Sequence, residues 1–333
     1  LNAARGLLLA AAVAGLAVLT APAHAGPVVD RIRTEGAIRC GGVSRPGLLG
    51  RSGDGRAPSG LYLDLCRAIG AALLPPDGRI AFHPYDDDAA FARMRDGHDD
   101  LAFLDGAEIL EQRLAGRTLT GPVVAFVSTG VRVQGGSPAE GPADLAGKSV
   151  CFYQGSRAHR TLEAFMASRH LDFVRMPFTE YGEMDDAFAA RKCDAEAGET
   201  GDLAIADLAG ASASAARGAG GGASRVLPAP LATFPVFAVT PASDPQWAEI
   251  VAWAIVVLQR ADLAPGPWMA SPDMSAPAGA DLGLADDWAK RVLAAAGRYK
   301  AIFERNISAP LALPRGPNAP AEAGGLFVTP SRD

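Results

Sequence analysis

The stretch "CFYQGSRAHRTLEAF", residues 151–165, changes character in mid-course. An apolar and aromatic run reads as a strand, Gly155 stops it, and a helix restarts with Ser156 and Arg157 at the turn. Working outward on the C-terminal side, the expectation is strand 173–176, helix 183–191, strand 193–197 and helix 200–209. On the N-terminal side of the chain the same rhythm has already run once. Strand 37–43, a Gly/Arg-rich loop to Gly60, helix 61–74 ended by Pro75-Pro76, strand 80–83, helix 86–95 and strand 100–104 form a βαβαβ series. Two such series predict two α/β lobes, each with a parallel sheet flanked by helices.

Between the series lies 123–133, β-branched and aromatic, which reads as extended. A second extended stretch, 234–239, leads back. Two extended crossovers between two lobes make a hinge. The chain after Val239 is mostly helical with no third sheet, so it is expected to rejoin the first lobe. This gives lobe 1 as 26–123 plus 240–333, with a helical C-terminal extension, and lobe 2 as 124–239 with the hinge strands. The apolar run 250–258 reads as a buried helix. Trp288, Val292, Ala295, Tyr299 and Phe303 fall on one face of a helix and are expected in the core. Residues 211–224, rich in Ala, Gly and Ser, are read as a surface loop.

The N-terminus carries Arg5, an apolar run from 6 to 19, and an Ala-Pro-Ala-His-Ala segment before Gly26. This pattern predicts a signal peptide over 1–25 and export to the periplasm; the apolar run is short of the roughly 20 residues of a bilayer span. Cleavage there removes one arginine and no acid, which takes the formal net charge from −6 to −7. An acidic chain without a long basic run argues against nucleic acid as a partner. Its 49% hydrophobic and 20% charged residues describe a folded chain with a sizeable core. In an exported protein the four cysteines, Cys40, Cys66, Cys151 and Cys193, suggest disulfides. Three pairings are open; the sequence-near one would place a staple in each half. No C-x-x-C pair occurs, and His83, His98, His159 and His170 show no metal-ligand spacing, so neither a metal nor a cofactor is expected.

Five stretches carry a family resemblance: "GLYLDLCRAIGAAL" (60–73), "KSVCFYQGS" (148–156), "ARKCDA" (190–195), "ADDWAKRVLAAAGRYKAIFERN" (285–306) and "LPRGPNAPAEAGGLFV" (313–328). They resemble the periplasmic substrate-binding proteins of general L-amino-acid ABC transporters, solute-binding protein family 3, which carries cysteines at the same four positions. The resemblance implies a two-lobed periplasmic-binding-protein fold, type II or Venus-flytrap, with two crossover hinge strands. It also implies a small amino-acid-like ligand in the cleft, an ABC permease in the inner membrane as partner, and a monomer without enzymatic activity.

The resemblance also implies a pocket. The turn after the second lobe's first strand meets the ligand carboxylate, which points to Ser156 and Arg157 at a helix N-terminus. Arg113 is the nearest match to the family arginine that forks onto that carboxylate, although one residue is inserted around Gly106 and the usual hydroxyl-rich run is here Phe103 to Glu108. Counting from Cys193 places Glu199 at the ammonium partner. Phe91 matches an aromatic wall position, Tyr153 offers a phenol from the turn, and Leu48 replaces an aromatic beside Arg45 and Arg51. The frame is kept better than the pocket, which suggests a changed ligand or a sensor or interaction subunit. A cyclohexadienyl-dehydratase-like enzyme is the remaining alternative, with Glu108 and Glu199 facing the cleft as candidate general acids.

Overall fold

The computed structural model describes residues 26–51, 58–216, 224–262 and 277–328; the expected signal peptide, 1–25, lies outside them. Helix α1 (Pro27–Glu35) ends at Gly36, whose φ of 61° gives the left-handed cap, and the chain turns into β1 (Ala37–Gly42). After the two-residue strands β2 (Gly50–Arg51) and β3 (Pro58–Ser59) come α2 (Leu61–Gly70), β4 (Arg79–Pro84), α3 (Asp88–Arg95), β5 (Leu101–Asp105) and a short helix α4 (Gly106–Glu111). β1 pairs in parallel with β4 on one side and β5 on the other. A Cβ at Gly41 would lie 2.2 Å from the Tyr85 ring, so the strand end tolerates only glycine there.

β6 (Thr118–Val133) is the long crossover. The second lobe holds β7 (Ser149–Tyr153), α5 (Arg157–Ser168), β8 (Val174–Phe178), α6 (Tyr181–Ala189), β9 (Ala195–Glu199), α7 (Thr200–Ala216) and β10 (Arg225–Val226). β11 (Ala232–Pro241) returns. The sheet order is β4-β1-β5-β11-β6-β9-β7-β8, with β10 beside β6. The outer strands of each half are parallel, whereas β5/β11, β11/β6 and β6/β9 are antiparallel. An antiparallel ribbon therefore joins two parallel sheets, and β6 and β11 are the two crossovers that the sequence implies.

Each half has its own apolar core. Cys40 on β1 is bonded to Cys66 on α2, and Cys151 on β7 to Cys193 after α6. Closing loops of 26 and 42 residues removes denatured-chain entropy worth about 3.5 and 4 kcal/mol. In the first half one buried carboxylate caps two helices. Asp244 accepts from the Trp247 N–H at the start of α8 (Pro245–Arg260) and from the Val28 and Val29 N–H groups of α1. The apolar run 250–258 lies within α8, with Ile250, Val251, Ala254, Ile255, Val257 and Leu258 buried. Among the described residues no helix is long and apolar enough to cross a membrane.

Three local expectations are corrected. The aromatic stripe is not one helix: α10 (Trp288–Ala296) stops at Gly297, with φ 86° and ψ −169°, and α11 (Tyr299–Phe303) restarts at Tyr299. Ala296 is buried in place of Ala295, which is exposed, because Trp288, Val292 and Ala296 recur every four residues on the inner face of α10. The segment read as loop from 211 continues α7 to Ala216, since its alanines sustain a helix; 217–223 lie outside the described residues. β9 runs to Glu199 rather than starting at Cys193, because Cys193 is held by its disulfide and Asp194 is tied to the Ser149 N–H and hydroxyl.

The tail after α11 is pinned to the hinge. The Asn318 side chain accepts from the Phe126 N–H at 2.7 Å and donates to the Phe126 carbonyl at 2.9 Å, as a neighbouring strand would. The Tyr299 hydroxyl donates to the Val124 carbonyl at 2.8 Å.

Candidate functional site

Four strands deliver polar side chains from their C-terminal ends to one seam, where open α/β sheets place ligands. After β1, a tight loop closed by the Arg45 N–H to the Leu49 carbonyl projects Arg45. β5 ends at Asp105, which begins α4 in a capping box. Its Oδ1 accepts from the Ala107 and Glu108 N–H groups, and Glu108 Oε2 accepts in return from the Asp105 N–H. After β7 the turn delivers Arg157, and β9 ends at Glu199.

These groups interlock. Arg45 Nη2 donates to Asp105 Oδ2 at 3.1 Å and to Glu108 Oε1 at 2.7 Å. From the opposite lobe, Arg157 Nη2 donates to the same Asp105 Oδ2 at 2.7 Å, while Arg157 Nε stands 3.9 Å from Glu199 Oε1. The Arg157 guanidinium lies 4.8 Å over the Phe234 ring of β11. A single carboxylate oxygen, 2% exposed as a side chain, thus receives one guanidinium from each lobe. Arg45 Nη1 and Arg157 Nη1 are buried with no hydrogen-bond partner, and so is the Tyr62 hydroxyl beside Arg45. A buried donor left unmade costs about 1–3 kcal/mol, so the site is short of acceptors.

The charges are set by burial. Burial opposes the Arg45 charge, yet Glu108, Tyr62 and Asp105 hold its pKa above the ordinary arginine value. Burial raises Glu108, with Arg45 pulling the other way. Burial also raises Glu199, against the pull of Arg157 and Arg45. Two guanidinia therefore face three carboxylates, two of which hold their protons more tightly than free glutamate. Among the described residues no group of three or more His, Cys, Asp or Glu could hold a metal ion.

The structure brings Arg157 and Glu199 of the sequence-derived set to this cluster. Ser156 is the N-cap of α5: its Oγ accepts from the His159 N–H at 3.0 Å. Tyr153 stands beside the turn with its ring stacked on Tyr181, centroids 4.2 Å apart. Phe91 is buried in the first-lobe core against Tyr85. Arg113 is exposed in the turn after α4 and forms no ion pair with the cluster. Arg45, Asp105 and Phe234 are the residues that sequence reasoning left out of the site. The D-x-x-E spacing of Asp105 and Glu108 was a legible capping signal, and the cation of lobe 1 comes from the β1 loop instead of the helix after β5.

Fold and seam define a two-lobed α/β architecture with a charged cluster between its halves. No protein-family model matches the chain. It is 26% identical over 343 aligned positions to a putative amino-acid ABC transporter-binding protein, YhdW, of Escherichia coli O157:H7, covering 97% of each chain. To the general L-amino acid-binding periplasmic protein AapJ of Rhizobium johnstonii it is 24% identical, with 97% of this chain and 98% of the other covered. Its fold matches a periplasmic binding protein from Brucella ovis with glutathione bound, at a TM-score of 0.67 and 22% identity, over 91% of this chain and 98% of that one. Over nearly its whole length the chain is similar to solute-binding components of amino-acid ABC transporters, and its fold is that of the periplasmic binding proteins. Glu108, one of the two carboxylates considered as a general acid, accepts from Arg45 and from the Asp105 N–H.

Proposed function

We propose that the seam binds an amino-acid-like zwitterion by hinge closure, with its carboxylate accepting from Arg45 Nη1 and Arg157 Nη1 and its ammonium against Glu199. The observation that carries this reading is the pair of buried, unpartnered guanidinium nitrogens, one from each lobe. A carboxylate there satisfies both and neutralises the unpaired demand for an acceptor, and it joins the lobes through one group. The N-terminus of α5 adds its dipole on the same side. The lobes divide within β6 and β11, near Val123 and Val239, so that closure bends the ribbon.

The wider setting follows from the class. The chain is exported by its N-terminal segment, acts as a monomer in the periplasm, and presents its closed form to an ABC permease. AapJ is described as a general L-amino acid binder, and the Rhodobacter capsulatus relative BztA as binding glutamate, glutamine, aspartate and asparagine, which supports a solute with an α-carboxylate and an α-amine.

The test is mass spectrometry of the gently purified, then denatured protein, combined with thermal shift against a panel of L-amino acids. A stoichiometric amino-acid-like solute, and stabilisation by the same compound that Arg157→Ala abolishes, is the expected result. An empty protein that no millimolar solute with both an amine and a carboxylate stabilises overturns the reading.

A further inference from the structure

The C-terminal segment is unusually well placed for a connecting tail. A cavity of about 400 Å3 opens beside the charged seam, between α7 of lobe 2 and the tail of lobe 1, and Arg45 and Glu199 line it as well as the seam. Its volume falls within the roughly 300–1,000 Å3 of small-molecule sites. Lobe 1 contributes Leu48, Phe303 and Leu313, lobe 2 contributes Leu208 and Leu227, and the hinge contributes Phe126. This wall is preformed rather than loose. Asn318 holds it to Phe126 on β6, and Arg315 is tied to the Asn318 carbonyl at 2.8 Å and to Asp262 at 2.9 Å.

Of the positions that would recognise a carboxylate and an ammonium, Arg45 and Glu199 line this space, and Arg157 adjoins it through Glu199, 3.9 Å away. The cavity is therefore additional to what a free amino acid's charged end needs. Because both lobes line it, a group inside is enclosed only when the lobes meet, and its burial adds to closure. Most of its wall area is apolar, Ser128 and Asn318 are neutral polar points, and Asp202, Asp207, Arg225 and Arg315 add charged ones, a lining suited to an extended organic group that carries polar atoms of its own.

We propose that this cavity receives the extension of the same solute whose charged end sits between Arg45 and Arg157, and that the solute is larger than one free amino acid, of short-peptide size. The inference rests on the seam reading above. It assigns the segment Leu311–Asn318 a direct part in recognition and makes α7 and the tail the two jaws that grip the solute's far end.

Titration calorimetry on the full chain separates the two readings. The probes are free L-glutamate, the dipeptide L-glutamyl-L-leucine and the tripeptide glutathione. At least one peptide is expected to bind more tightly than L-glutamate. Leu313→Trp and Leu208→Trp, both at partly exposed positions that tolerate bulk, fill the cavity and weaken that peptide about tenfold while L-glutamate changes by less than about twofold. Melting temperatures of both variants establish that they fold. Arg157→Ala weakens every probe. If L-glutamate binds at least as tightly as either peptide, or the tryptophan variants weaken all probes equally or none, the cavity proposal is overturned and the seam reading stands. If no probe binds, both fall.

Discussion

The two halves of the seam are built on different plans. In lobe 1, Asp105, Glu108 and Arg45 are locked to one another and to the first turn of α4, and Asp105 is almost wholly buried. In lobe 2, Arg157 rests on Phe234 and reaches across, and Glu199 stands at the longer distance of 3.9 Å with 29% of its side chain exposed. Each lobe offers a guanidinium with a spare nitrogen, but in lobe 1 that guanidinium is already anchored on two carboxylates of its own lobe, whereas in lobe 2 it reaches across to the other. The lesson is an unequal sharing of labour: both halves hold a guanidinium to the seam, and the lobe 1 half carries in addition the contacts that stabilise the fold.

The sharpest way to break that comparison is Asp105→Ala. It removes the α4 cap and leaves buried guanidinia without their shared acceptor, so unfolding by denaturant should show a loss of about 4 kcal/mol. A loss under about 1 kcal/mol would mean the lobe 1 half is not the structural one. Next, Asn318→Ala deletes two hydrogen bonds between tail and hinge strand and is expected to cost about 2 kcal/mol in the same assay. Arg157→Ala should cost less, about 1.5 kcal/mol, because Asp105 keeps Arg45. A larger loss than for Asp105→Ala would reverse the assignment of roles.

The smallest effect concerns pH. Burial lifts the folded-state pKa of Glu199 above 4.5, so its contribution to stability is fully present below pH 4.5 and is lost as pH rises through the raised value. Relative to wild type, Glu199→Gln should therefore gain stability as pH climbs from 4.5 towards 7, measured by melting temperature at each pH. The opposite slope would show Glu199 to be a committed ion-pair partner of Arg157 and not a site held open for an ammonium.

The frame was legible because period, glycine stops and β-branched runs are local signals. The stretch 148–165 alone announced a strand, a turn and a helix, and β7, the Ser156 cap and α5 occupy it. The tail resisted because a single glycine, Gly297, divides what spacing alone reads as one helix. The charged seam resisted for a different reason. Arg45 and Asp105 are 60 residues apart, and Asp105 and Arg157 a further 52, so their meeting is a property of sheet order. Asp105 itself was visible as a departure from the family run and as the first residue of a D-x-x-E capping signal, but not as a partner of two arginines. The structure shows what the departure does: Arg157 at the turn donates to Asp105, the protein's own carboxylate.

The most direct measurement is a double-mutant cycle by calorimetry, titrating the amino-acid-like solute that best stabilises the wild type into Arg45→Ala, Arg157→Ala and the double variant. Two guanidinia that grip one carboxylate predict that each single change weakens binding roughly tenfold to a hundredfold and that the double loss differs from the sum of the single ones. Unchanged affinity in either single variant would contradict the account, because the solute's carboxylate would then sit somewhere other than between the two lobes.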